Sequence, residues 1–200
     1  MEILNDFNTS VQKALGEINP DYEKLPGLVV CGTHSPKNVE EILEKIQHAR
    51  ENNIPTLGIC MGMQLMLISQ ARKDLAYENL GLKSTKEKLA HKANSTEIDP
   101  DTPHPIIIKM PELRVGIHKT NWMGRSTMES YWHNFKFNEE YSPRLINIIE
   151  YTDGVAVCCR EWPGTHPFFV GVQFHPEYQS SKEKPHQLLV NFLKICGSVK

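Results

Sequence analysis

No run of apolar residues in this chain approaches the length of about 20 that a membrane helix requires. The first residues, Met1-Glu2-Ile3-Leu4-Asn5-Asp6, lack a basic stretch followed by an apolar one, so no secretory signal is read there. Without such a signal, the sequon Asn94-Ser95-Thr96 carries no weight. Charge of either sign is not in excess: 22 basic residues stand against 24 acidic ones, for a net charge of −2. That balance gives no electrostatic case for a nucleic-acid partner or an anionic membrane surface. The five cysteines, at 31, 60, 158, 159 and 196, form no CxxC pair and no Cys/His spacing of a zinc site. A disulfide framework and a metal centre are therefore not expected, no cofactor is called for, and a reducing, cytoplasmic setting is. A phosphate-binding Gly-x-x-x-x-Gly-Lys-Ser/Thr loop is also missing.

What is present is ordinary globular composition, 40% hydrophobic and 23% charged over 200 residues, which predicts one well-buried domain spanning 1–200. Phe7 to Ile18 has helical apolar spacing. Gly27 to Cys31 reads as a short buried strand, and Ser35-Pro36 opens a helix whose apolar face is Val39, Ile42, Leu43, Ile46 and Ala49. A second strand then leads through Gly58-Ile59-Cys60-Met61-Gly62 into an apolar helix from Met63 to Ala71. This alternation predicts a parallel sheet with helices on its faces. The lysine-rich stretch from Tyr77 to His91 reads as a solvated loop or mobile helix, and Asp99 to Pro105 as a turn-rich connector. Later, Leu113–Ile117, Leu145–Tyr151, Val155–Arg160 and Phe168–Phe174 read as strands, with Asp153-Gly154 as a hairpin turn. Trp122 to Tyr141 reads as aromatic-rich and irregular, and the chain ends in a helix marked by Leu188, Leu189, Phe192, Leu193 and Ile195.

Two stretches carry chemistry. Glycines two before and two after Cys60, at a strand-to-helix turn, form a nucleophile-elbow pattern with Cys in place of Ser. Such a turn exposes the sulfur at a helix N-terminus, where backbone N–H groups favour a thiolate. The same pattern also fits a buried structural cysteine between two turn glycines. The second stretch is the apolar strand that breaks off in His175-Pro176-Glu177. A cysteine nucleophile needs a base of near-neutral pKa, and a carboxylate on the far ring nitrogen fixes that base's tautomer. Alone, His-Pro-Glu also fits a chance surface trio. In the order Cys60…His175…Glu177 the two stretches support each other.

Gly-Ile-Cys-Met-Gly-Met-Gln paired with Val-Gln-Phe-His-Pro-Glu resembles the class I glutamine amidotransferases of the Cys-His-Glu type. More narrowly, the chain is similar to the glutaminase domain of CTP synthase. Ala49 to Pro55, Ala93 to Glu97, Asp101 to Pro105 and Leu113 to Gly116 carry that narrower likeness, which runs from about residue 10 to residue 195. The resemblance implies a three-layer, flavodoxin-like α/β fold with a mostly parallel sheet. It implies attack by Cys60 on the glutamine side-chain amide, a γ-glutamyl thioester, and release of ammonia and then glutamate. It also implies an oxyanion hole from the N–H groups of Gly32 and Met61, and substrate contacts from Gln64 and Glu97. With no phosphate loop in the sequence, the acceptor chemistry is expected from a separate synthetase partner.

Two stretches depart from the family pattern. Its Pro-Gly-Gly-Phe-Gly loop reads Val30-Cys31-Gly32-Thr33-His34 here. Its His-Arg-Tyr-Glu-Val-Asn stretch reads His133 to Asn138, so Asn134 stands where an arginine would meet the substrate carboxylate. Losing a charge-assisted contact of that kind costs about 1.5–3 kcal/mol. Lys136, two residues on, can replace it only if the strand is regular. These departures leave three readings beside glutamine hydrolysis: a subunit of a two-chain amidotransferase, a hydrolase of another γ-glutamyl compound, and a non-catalytic binding or regulatory module.

Overall fold

A computed structural model describes residues 1–6, 8–33, 38–74, 106–145 and 148–199. The expected loop from Tyr77 to His91 and the connector from Asp99 to Pro105 lie outside the described residues.

Strands β1 (Glu2–Leu4), β2 (Leu28–Val30), β3 (Thr56–Ile59) and β8 (Phe169–Val172) pair in parallel. Beyond β8 the sheet continues antiparallel through β7 (Val155–Arg160) to β6 (Ile148–Thr152), giving the order β1-β2-β3-β8-β7-β6. Both faces of this sheet are covered, so its central strands are apolar throughout. Leu28 and Val30 pack to one side, whereas Val29 and Cys31 pack to the other. On the first side lie α2 (Val39–Glu51) and α3 (Met61–Asp74); on the second lie α1 (Asn8–Ile18) and α4 (Gln187–Cys196). The result is the expected three-layer arrangement.

Local sequence explains each helix. In α2 the buried residues are Val39, Ile42, Leu43, Ile46 and Ala49, one stripe at helical spacing. Its first turn carries Glu40 and Glu41 and its last carries His48 and Arg50, which suits the helix dipole. Asn53, at φ 55°, provides the left-handed exit. Helix α3 differs, because Met61 to Ile68 are buried on every side. It is wedged between the sheet, α2 and the stretch Arg125–Phe137.

The hairpin at Asp153-Gly154 forms as expected, with both residues at positive φ. Leu145 lies before β6, closing a short 3-10 helix, Glu139–Arg144, and is not part of that strand.

The stretch from Trp122 to Tyr141 is not irregular. It belongs to a second, two-stranded antiparallel sheet of β4 (Ile107–Trp122) and β5 (Arg125–Phe137), turned at Met123-Gly124. The buried positions of β5 alternate strictly: Glu129, Tyr131, His133, Phe135 and Phe137. Two of these five, Glu129 and His133, are strongly polar, and Trp132 faces outward, so the alternation does not show as apolar against polar.

Candidate functional site

Cys60 follows β3 at the carboxyl edge of the sheet. Its N–H donates to Val172 O at 2.7 Å, one step beyond the β3–β8 ladder, and its carbonyl accepts from Gln64 N at 3.3 Å to begin α3. Between these bonds the residue has φ 55°, the left-handed conformation that a side chain other than glycine resists. The elbow glycines are needed for space. A Cβ on Gly62 would run into the carbonyl oxygen of Val30, and one on Gly58 would meet the Met66 sulfur and the Gly62 backbone.

His175 leaves β8, the strand beside β3, so sheet register sets its position relative to Cys60. Its backbone N–H is tied to Ser130 O of β5 at 2.8 Å. The ring Nδ1 lies 2.8 Å from Glu177 Oε1, in the short 3-10 helix Pro176–Gln179, and both side chains are buried. A carboxylate accepts, so Nδ1 carries the proton and Nε2 is the ring's other working edge. Nε2 is buried and makes no hydrogen bond of good geometry, yet Cys60 is near enough to act on the imidazole. Burial pulls the pKa of His175 down, but the hydrogen bonds and charges of Cys60 and Glu177 outweigh it and raise it to about 10. Tyr178 stacks on the ring with centroids 5.1 Å apart.

A cavity of about 240 Å³ opens on Cys60, lined also by Thr33, Met61, Gln64, Leu113, Trp132, His133, Asn134 and Phe135. That volume is below the usual range for drug-sized ligands and suits a small molecule. His175 and Glu177 are not among the residues that line it. Met61 is the first residue of α3, so its N–H has no partner within the helix. Gly32 is buried and immediately precedes Thr33, whose Oγ1 lies 3.3 Å from Asp6 Oδ2. Asn134 is placed on the cavity wall where the β4–β5 register shifts, opposite the stretch between Lys109 and Arg114. Lys136 does not substitute there, because its Nζ donates to Gly154 O at 2.9 Å. Glu97 and His34 lie outside the described residues.

One polar group absent from the expected set is Gln173. Its Nε2 is 3.6 Å from Cys60 Sγ, and its Oε1 accepts from Gln64 Nε2 at 3.0 Å. Strand alternation gave no signal for it, since β8 ends at Val172 and both Gln173 and His175 lie beyond that end. Among the described residues, no three His, Cys, Asp or Glu side chains gather as metal ligands. No described helix is long and apolar enough to cross a membrane.

A parallel sheet that carries a cysteine elbow on one strand and a His-Glu pair on its neighbour defines an α/β protein with an amidotransferase-like site. The Trypanosoma brucei CTPS glutaminase domain with bound acivicin shares the fold at a TM-score of 0.75 and 16% identity, over 99% of this chain and 93% of that one. A putative GMP synthase subunit from Thermoplasma acidophilum matches at 0.52 and 17%, over 98% and 93%. The model of the glutamine amidotransferase class-I family matches residues 6–195, and the chain belongs to that family. Among its curated relatives are the CTP synthase of Caldanaerobacter subterraneus, 33% identical over 87% of this chain, and that of Thermotoga maritima, 32% identical over 97%. The chain spans 34% and 39% of the length of these two relatives.

Proposed function

We propose that this chain is one amidotransferase unit that hydrolyses the side-chain amide of glutamine through a thioester on Cys60. Cys60 Sγ attacks the amide carbon, and the developing oxyanion is held by the N–H groups of Met61 and Gly32. Nε2 of His175 gives its proton to the amide nitrogen, the C–N bond breaks and ammonia leaves. Water, its proton taken by the same nitrogen, then adds to the thioester and glutamate is released. Glu177 holds the imidazole in the required tautomer, and Gln64, Asn134 and Glu97 contact the substrate. The observation that carries this reading is Cys60, held at φ 55° beside a buried His175–Glu177 pair that it perturbs. The hydrogen bonds and charges of Cys60 and Glu177 raise the pKa of His175, which favours the protonated ring that the leaving amide nitrogen needs. All five cysteines are free, which fits a cytoplasmic setting. The relatives are CTP synthases, so the acceptor of the ammonia is a synthetase partner.

A second reading, hydrolysis of a different γ-glutamyl amide, is favoured by the cavity wall. Among the described residues that line the cavity there is no lysine or arginine, and Lys136 is turned to Gly154.

The test compares ammonia release from glutamine by wild type and Cys60→Ala, with labelling by acivicin, the compound bound in the Trypanosoma brucei structure. Turnover and labelling in wild type alone are expected. Labelling without turnover points to the second reading or to a missing partner, and neither labelling nor turnover overturns the enzyme.

A further inference from the structure

Gln173 is wholly buried, and among the described residues its side chain reaches a sulfur atom and another side chain but no backbone group. A chain of acceptors fixes which end of the amide faces the sulfur. Phe135 O can only accept, so the amino group of Gln64 faces it, at 3.1 Å. The same Gln64 nitrogen donates to Gln173 Oε1. The oxygen of Gln173 is thereby committed to Gln64, which leaves its amino group for Cys60 Sγ, at 3.6 Å. Gln64 is itself only 3% exposed, so both amides are out of water and each spends its polar atoms on the next.

Beside the imidazole of His175, which Cys60 also faces, the sulfur has two further partners of opposite polarity. Trp132 O, at 3.8 Å, accepts from the neutral thiol. Gln173 donates to the sulfur. When the thiol loses its proton, the Trp132 contact becomes lone pair against lone pair, while the bond from Gln173 strengthens.

We propose that Gln173 is a thiolate clamp for Cys60, and that Gln64 is a positioning residue that holds the clamp in place. The pair favours the ionised sulfur over the thiol and holds it away from Trp132 O. This rests on the reading of Cys60 as the nucleophile. It also gives Gln64 a second duty, since both its amino hydrogens are used inside the protein and only Oε1 remains for a substrate.

The test is iodoacetamide alkylation of Cys60 in the full chain, followed by mass spectrometry from about pH 5 to about pH 10, which reads the thiolate fraction without any need for glutamine turnover. Gln173→Leu should raise the alkylation midpoint by about one pH unit, roughly a tenfold loss of thiolate near neutrality. Gln173→Glu, which puts an acceptor and a like charge beside the sulfur, should raise it further. Gln64→Met should shift it in the same direction by less. A role confined to packing would change stability and leave the midpoint where it is. Unmoved midpoints in folded variants therefore overturn the proposal. If neither Gln173 variant folds, Gln64→Met decides alone. Wild-type Cys60 that resists alkylation throughout would sink the nucleophile reading and the clamp together. Shifted midpoints without glutamine turnover would sustain the clamp and remove only the glutamine substrate.

Discussion

His133 enters the cavity wall as a neutral imidazole, in contrast to His175. Burial pulls its pKa down to about 4; the hydrogen bond from Nδ1 to Phe135 O opposes this, and the positive charges of Arg114 and His175 add to it. The folded value lies below the ordinary 6.5, so the stabilisation linked to His133 is complete above that pH and is withdrawn as the pH falls towards 4. His175 has the opposite sign: its folded value is raised, so its contribution is complete below pH 6.5 and is lost as the pH rises through about 10. The acid limb is the cleaner test. In urea titrations, His133→Gln should lose about 2–3 kcal/mol less than wild type between pH 7 and pH 4. Equal losses would show that His133 charges without cost in the folded state.

The hairpin of β4 and β5 gives the site its outer wall, through Leu113, Trp132, His133, Asn134 and Phe135. It is tied to α4 by a hydrogen bond between the partly buried His186 and the buried Glu129. Nδ1 of His186 accepts from Leu188 N at the start of α4, so Nε2 carries the proton and donates to the Glu129 carboxylate at 3.2 Å. Trp122 of β4 stacks on the same imidazole. Glu129→Ala removes the acceptor and should lower stability by about 1.5–3 kcal/mol in urea unfolding, with the fluorescence of buried Trp122 changing in the folded state. A loss below about 0.5 kcal/mol, the scale of an ordinary surface substitution, would show that the hairpin is held by apolar packing alone. This element is also where sequence and structure part. The parallel strands were legible because both their faces are apolar, and the elbow because Gly58 and Gly62 sit where no Cβ fits. The hairpin was not, because its inward positions include Glu129 and His133, which are buried only through partners distant in sequence. Gln173 was hidden for a related reason: a polar residue just past an apolar strand shows its purpose only once Gln64 is beside it.

At the scale of the molecule, the sheet places the five thiols in very different surroundings. Cys31 immediately follows β2, and burial together with the charge of Glu177 pushes its pKa up. Cys158 and Cys159 face opposite sides of β7, and burial raises both, Cys159 to about 12. Cys196, at the end of α4, is likewise pushed up to about 12. Each of these four is closed off by one of the two cores, whereas Cys60 opens on the cavity. Reactivity needs both a thiolate and access, so the folded chain should present one reactive thiol out of five. Brief alkylation at neutral pH should add a single adduct by intact mass, located on Cys60, and none to Cys60→Ala. The remaining four lie directly after β2, in β7 and in α4, all packed into the same two cores, and should become reactive together. In a urea series their labelling should rise along one transition, coincident with the loss of secondary structure. A second native adduct would show that one of these elements opens by itself. A staggered rise among the four would show that the sheet comes apart in stages.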